Sequence, residues 1–213
     1  MLACLPRFAT PCLLFALSLS GCASVAAVDS TRYFPLASGL QWRYQVSRTD
    51  RPGLFTDLTV ASLATELHDG QPLQIRRGSS GREYLFGRDD WGIYRAGWRE
   101  AADFELRWEE ARRYVLPDPL TPRQQWRRAP AISGELLYTV ESLEDTVRVP
   151  AGAFRRCLRV RGTGVLPAPA GPVEVLTQEW YAPGIGLIKL RRRERAHTTT
   201  PSEMLIELVE FKS

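Results

Sequence analysis

A mainly β fold, a large curved antiparallel sheet or half-barrel with at most one short-to-medium helix, is what this sequence predicts. Three observations carry that reading. Short runs alternate polar and apolar side chains with period two, the spacing of half-buried strands. The runs are separated by turn chemistry such as Asp69-Gly70, Ser79-Ser80-Gly81, Pro150-Ala151-Gly152 and Pro183-Gly184. Only one segment of the chain has the spacing of a helix.

The first element is an export segment. Arg7 precedes the uncharged run Leu13 to Leu19, which has the length of a secretory apolar region and falls short of the roughly 20 residues of a membrane-spanning helix. Ser20, Gly21 and Cys22 follow. An aliphatic residue, two small residues and a cysteine resemble the lipid-attachment site of bacterial lipoproteins, in which the thiol takes a diacylglycerol before cleavage. Residues 1–21 are therefore read as the signal peptide and Cys22 as the lipidated N-terminus of the mature chain. The alternative is an uncleaved anchor, for which Pro11 and Gly21 make a poor continuous helix. Residues 22–32, small and polar, are read as a tether, and 33–213 as a single β-rich domain in the periplasm. By the same resemblance, Ala23 and Ser24 in place of an aspartate after the cysteine favour the outer membrane.

Processing simplifies the cysteines. Cys4 and Cys12 leave with the signal and Cys22 is acylated, so Cys157 is the one thiol of the mature domain. Without disulfides, the domain must be stabilised by its own core.

The strands then follow in order. Gln41 to Ser47 places Trp42, Tyr44 and Val46 on one face. Further runs are Leu54 to Leu67, Leu73 to Arg77, Glu83 to Phe86, Gly92 to Arg95, Leu136 to Ser142, Thr146 to Val149, Cys157 to Gly162, Val173 to Tyr181, Gly186 to Arg192 and Met204 to Phe211. Many short strands with regular breaks suit an antiparallel sheet, strongly curved or closed. Glu100 to Val115 allows two readings. Ala101, Phe104, Trp108, Ala111 and Val115 step like a helix, whereas Phe104, Leu106 and Trp108 alternate like a strand.

Charge excludes little. The chain has 28 Lys plus Arg against 24 Asp plus Glu, and 26 of the basic residues are arginine. The densest cluster, Arg191-Arg192-Arg193 with Arg195, invites a nucleic-acid reading that export makes untenable. It is read as a solvated strand end, or as a patch facing anionic headgroups.

Tyr33-Phe34-Pro35-Leu36 with Gly39, Trp42 and Tyr44, then Val149-Pro150-Ala151-Gly152 with Phe154 and Cys157, then Trp180-Tyr181-Ala182-Pro183-Gly184-Ile185-Gly186-Leu187-Ile188-Lys189 together resemble three signatures of a group of uncharacterised exported bacterial proteins, many of them lipoproteins. The resemblance spans almost the whole mature chain. It implies a large curved antiparallel sheet, related in shape to the half-barrels of lipoprotein carriers, and no assigned activity.

Candidate sites are few. Cys157 is either a buried small hydrophobe or an exposed thiol whose pKa neighbouring arginines lower. Gly162-Thr163-Gly164 and Gly184-Ile185-Gly186 read as turns or bulges, not nucleotide loops. His68 and His197 fall in expected loops, without metal-ligand spacing. Asp89-Asp90 and Glu109-Glu110 would point to opposite faces of a strand and make no acid/base pair. No catalytic residue, cofactor or metal ligand is indicated, and an enzyme is not expected. Of the six tryptophans, Trp42, Trp126 and Trp180 read as core; Trp91 and Trp98 are candidate exposed anchors. The expected function is a membrane-anchored binding or carrier module for a hydrophobic ligand, held by the lipid on Cys22. The alternative is an interaction protein docking on an envelope partner.

Overall fold

The computed structural model describes residues 27–101, 105–128, 134–169, 171–196 and 201–213. Cys22, the signal segment and His197 lie outside them. The described chain forms β1 (Gln41–Arg48), β2 (Phe55–His68), β3 (Gln71–Gly78), β4 (Glu83–Asp89), β5 (Gly92–Arg99), β6 (Arg107–Pro117), β7 (Gln125–Arg128), β8 (Leu136–Val149), β9 (Gly152–Leu166), β10 (Val173–Ala182), β11 (Gly186–Ala196) and β12 (Ser202–Lys212). All belong to one twelve-stranded sheet of order β6-β5-β4-β3-β2-β1-β12-β11-β10-β9-β8-β7, and every pairing is antiparallel. The sheet curls until its two edges, β6 and β7, approach each other as a nearly closed barrel. Across that seam, Arg128 Nη1 donates to the Val115 carbonyl at 3.3 Å.

Of the segment Glu100 to Val115, the part from Arg107 onward is strand, within β6. Arg95 pairs with Arg113 and Gly97 with Trp108, so residues 109–112 of β6 stand opposite Ala96 alone. This wide bulge stretches the apolar spacing and imitates a helical period. The runs Leu136 to Ser142 and Thr146 to Val149 are one strand, β8, with register shifts between them.

In an up-and-down sheet, alternate turns fall at opposite ends. The turns after β2, β4, β6, β8 and β10 share one end with the chain's approach to β1. That end is plugged from inside. Val28 and Leu120 exchange two backbone hydrogen bonds, of 3.1 and 2.8 Å, and the Arg32 carbonyl accepts from Gly184 N–H at 2.7 Å. Ser30–Arg32 makes a single 3₁₀ turn capped by Asp29. Tyr33, 2% exposed, then enters the lumen and donates through its hydroxyl to the Arg156 carbonyl at 3.0 Å. Val28 and Arg32, within the segment read as a tether, are thus hydrogen-bonded to the barrel.

The plug follows from strand number. An eight-stranded barrel is filled by its own side chains, whereas twelve strands enclose more space than their inward residues occupy. Tyr33 and Phe34 fill part of it, packing with Ile93, Leu116, Leu136, Tyr138, Leu158 and Tyr181. The β8–β9 hairpin closes the rest of that end. It bends at the β8 bulges, docks Ala151 N–H on the Leu208 carbonyl at 3.0 Å, and packs Val147, Val149 and Cys157 with Trp42, Tyr44 and Leu208.

Candidate functional site

The plug leaves a cavity of about 340 Å³ inside the barrel, floored by Phe34 and walled by Tyr84, Phe86, Arg95, Arg113, Val115, Arg128, Tyr138, Thr177, Glu179, Leu190, Arg192 and Met204. Strand register assembles this wall. Tyr138, Gly162, Thr177, Arg192 and Met204 are successive cross-strand partners on β8 to β12, so their Cβ positions form one row on the inner face. Gly162 is the gap in the row. A Cβ there would lie 2.7 Å from the Tyr138 ring, so glycine lets that ring lie against the backbone. The expectation of a turn or bulge at Gly162 to Gly164 is corrected: both glycines lie within β9, whereas Gly184 and Gly186, at φ 74° and 102°, do form the β10–β11 turn.

Glu179 is the buried charge of the lumen. It is 3% exposed, pairs with Arg128, and accepts from Tyr138 at 3.2 Å, Thr177 at 3.3 Å and Tyr181. Arg128 also lies 3.9 Å over the Tyr138 ring centroid. Burial lowers the Arg128 guanidinium's affinity for its proton, but the field of Glu179 outweighs it and holds Arg128 charged. Burial and then the Glu179 charge push the Tyr138 phenol up to about 12 and raise that of Tyr181 well above its usual value of 10. These hydroxyls stay protonated and act as donors. Nearby, Arg95 and Arg113 share the carboxylate of Glu109, at 2.6 and 2.7 Å, with the Glu109 side chain 7% exposed. Arg192 pairs with Glu194 at 2.6 Å.

Behind the floor lies Arg76. Its guanidinium sits 3.8 Å from the Phe34 ring centroid, 4.7 Å from that of Trp42 and 5.5 Å from that of Phe86, and it donates to the Pro35 carbonyl at 2.6 Å. Its buried Nε has no hydrogen-bond partner. Desolvation draws its pKa down to about 10, leaving it cationic at neutral pH.

The residues singled out in the sequence are scattered around this site. Cys157 is fully buried, and burial, then the Asp145 charge, push its thiol up to about 11, opposite to the lowering expected from arginines. Arg156, at φ 54°, breaks the alternation and turns both Cys157 and Leu158 inward. His68 ends β2 rather than lying in a loop; it bonds Glu66 at 3.1 Å and meets the Trp108 ring edge-on. Asp89 caps the β4–β5 turn through Trp91 N–H at 2.9 Å and accepts from the Tyr114 hydroxyl at 2.9 Å. Although burial opposes it, these hydrogen bonds, with that of Arg112, hold its carboxyl below the usual 3.8.

The arginine run divides by parity. Arg191 and Arg193 pair with Glu203 outside, at 2.9 and 2.5 Å, while Arg192 lines the cavity. Trp42 is core, and Trp126 stacks on Tyr138. Trp180 is half-buried and donates to Asp145 at 3.0 Å. Trp91 is 75% exposed, whereas Trp98 is clasped between Arg82 and Arg107, at 4.8 and 4.7 Å. Trp108 is 53% exposed.

Sequence reading missed Glu179, Arg128 and Arg95. The signal for Glu179 was its place on the inward parity of Val175, Thr177 and Tyr181; for the arginines, nothing local distinguishes them from outward ones.

Fold and site together define a nearly closed, internally plugged β-barrel with a partly charged lumen. Among solved structures, a protein of Bacteroides fragilis described as exported, with a YmcC-like fold, is similar at TM-score 0.51 and 16% identity, covering 88% of this chain and 100% of that one. A protein of Parabacteroides distasonis described as a lipoprotein gives TM-score 0.45 and 12% identity, with 84% and 98% covered. The first likeness establishes a shared fold. No family model matches the chain, and no curated protein matches it.

Proposed function

We propose that this protein is a bacterial envelope lipoprotein that acts by binding, holding a small hydrophobic ligand inside its barrel without catalysing a reaction on it. The carrying observation is the 340 Å³ cavity, which falls in the range of small-molecule sites and combines aromatic and aliphatic walls with a few fixed polar groups. The lumen carboxylate Glu179 is engaged by Arg128 and three hydroxyls, an arrangement suited to holding shape rather than to exchanging protons.

Acylation of Cys22 fits this reading, and Ala23-Ser24 favours the periplasmic face of the outer membrane. Cys22→Ser should block maturation or release an unlipidated form; an unchanged mature mass would end the lipoprotein assignment. For the ligand, the native protein is purified from membranes and its co-purifying molecules are identified by mass spectrometry. A stoichiometric lipid or amphiphile supports the carrier. A stoichiometric protein instead supports docking on an envelope partner, a second reading favoured by Trp108 and Leu67, which are 53% and 74% exposed.

A further inference from the structure

We infer that the ligand of the barrel cavity is a single-chain amphiphile with an anionic head, a carboxylate or phosphate, whose head meets the lumen arginines and whose chain lies on the Phe34 floor. This rests on the binding reading above and narrows it.

Two independent observations point to an anion. The wall carries four guanidinium groups, Arg95, Arg113, Arg128 and Arg192, against the three carboxylates that pair with them, Glu109, Glu194 and Glu179, so one positive charge is left over. Behind the floor, Arg76 adds a fifth cation with an unpartnered buried Nε, and no carboxylate pairs with it among the described residues. Charges in a partly desolvated enclosure interact more strongly than on a surface, so the lumen is a favourable place for a negative group. It is a costly one for a further cation.

The polar and apolar parts are also separated along individual strands. Along β6, Val115 lies one inward step nearer the plugged end than Arg113, while Phe86, Arg95 and Arg113 are cross-strand partners in one row. Along β11, Leu190 precedes Arg192, one inward step nearer the opposite end, with Met204 beside it on β12. A chain can therefore lie toward Val115, Leu190 and the Phe34 floor while its head meets Arg113 and Arg192, sharing guanidiniums that Glu109 and Glu194 already hold. At about 30 Å³ for each water-sized group, the volume suits a ligand of roughly eleven non-hydrogen atoms.

The test is calorimetric titration of the mature chain, residues 22–213, carrying Cys22→Ser so that detergent is not needed. Decanoate, decyl phosphate, decan-1-ol and decyltrimethylammonium are compared below their aggregation concentrations. Decanoate, decyl phosphate or both should bind about ten- to a hundredfold more tightly than decan-1-ol, as expected of one charge-assisted hydrogen-bonded group; which anion binds more tightly identifies the source of the head. Arg192→Met should reduce that ratio at least threefold. Should that variant fail to fold, the decline of the wild-type ratio with added salt is the substitute measurement. Equal binding of decan-1-ol and both anions, preference for the ammonium compound, or a ratio insensitive to both Arg192→Met and salt would overturn the anionic assignment and leave the carrier reading standing. No binding of any of the four would remove both.

Discussion

Replacing Glu179 with glutamine keeps the shape of the lumen and removes one charge. Glu179 and Arg128 have side chains 4% and 16% exposed, so the variant leaves a guanidinium enclosed without its counter-charge. Breaking a buried pair from one side costs about 3–5 kcal/mol. Water in the adjacent cavity can solvate part of Arg128, which places the expectation near the lower figure, about 3 kcal/mol. For a chain of this size, that corresponds to a fall of roughly 6–12 °C in Tm. Equilibrium urea unfolding by linear extrapolation reads the difference at constant slope. The double variant Arg128→Met with Glu179→Gln should recover more than half of the loss, since it removes both charges while the glutamine carbonyl still accepts from the surrounding hydroxyls. A loss under about 1 kcal/mol, the value of an exposed pair, or a double variant no better than the single one, would refute the buried-pair account.

Cys157 should resist a soluble disulfide reagent in the folded protein and react fully in urea, with Cys157→Ser costing about 1–3 kcal/mol for its buried hydroxyl; rapid labelling of the native protein would contradict the burial. Gly162→Ala should destabilise by about 1–3 kcal/mol through the Tyr138 ring it displaces, and should weaken any ligand bound in the lumen, as paired unfolding and titration experiments would reveal. Gly39→Ala, at φ 86° but with nothing within 4 Å of an added Cβ, tests strain alone and should leave the lumen unchanged, read by the same two measurements.

The strands were legible because their alternation is local: Trp42 and Tyr44 declare a buried face within a few residues of sequence. Closure was not, since it depends on Arg128 reaching Val115 from the opposite edge of the sheet. The bulge at residues 109–112 explains why β6 could be read as a helix, and Arg156 explains why the parity of Cys157 misled. The lumen was hardest to see. Arg191, Arg192 and Arg193 are chemically identical in sequence, and only the register of β11 sends the middle one inward. Glu179 was the exception, a carboxylate on an apolar parity, which in a strand needs a partner from elsewhere in the fold.

With Cys22 acylated, the hydrogen bonds between Val28 and Leu120 become a mooring point. The five residues 23–27 then set the greatest distance from the lipid, at most about 18 Å by chain reach. A barrel moored that closely cannot turn over freely, and its plugged end, with Trp91 beside it, is held toward the bilayer. The cavity then runs away from the leaflet that holds the lipid, and the carrier reading proposed above would have its ligand exchanged with the aqueous side rather than drawn directly from the supporting membrane.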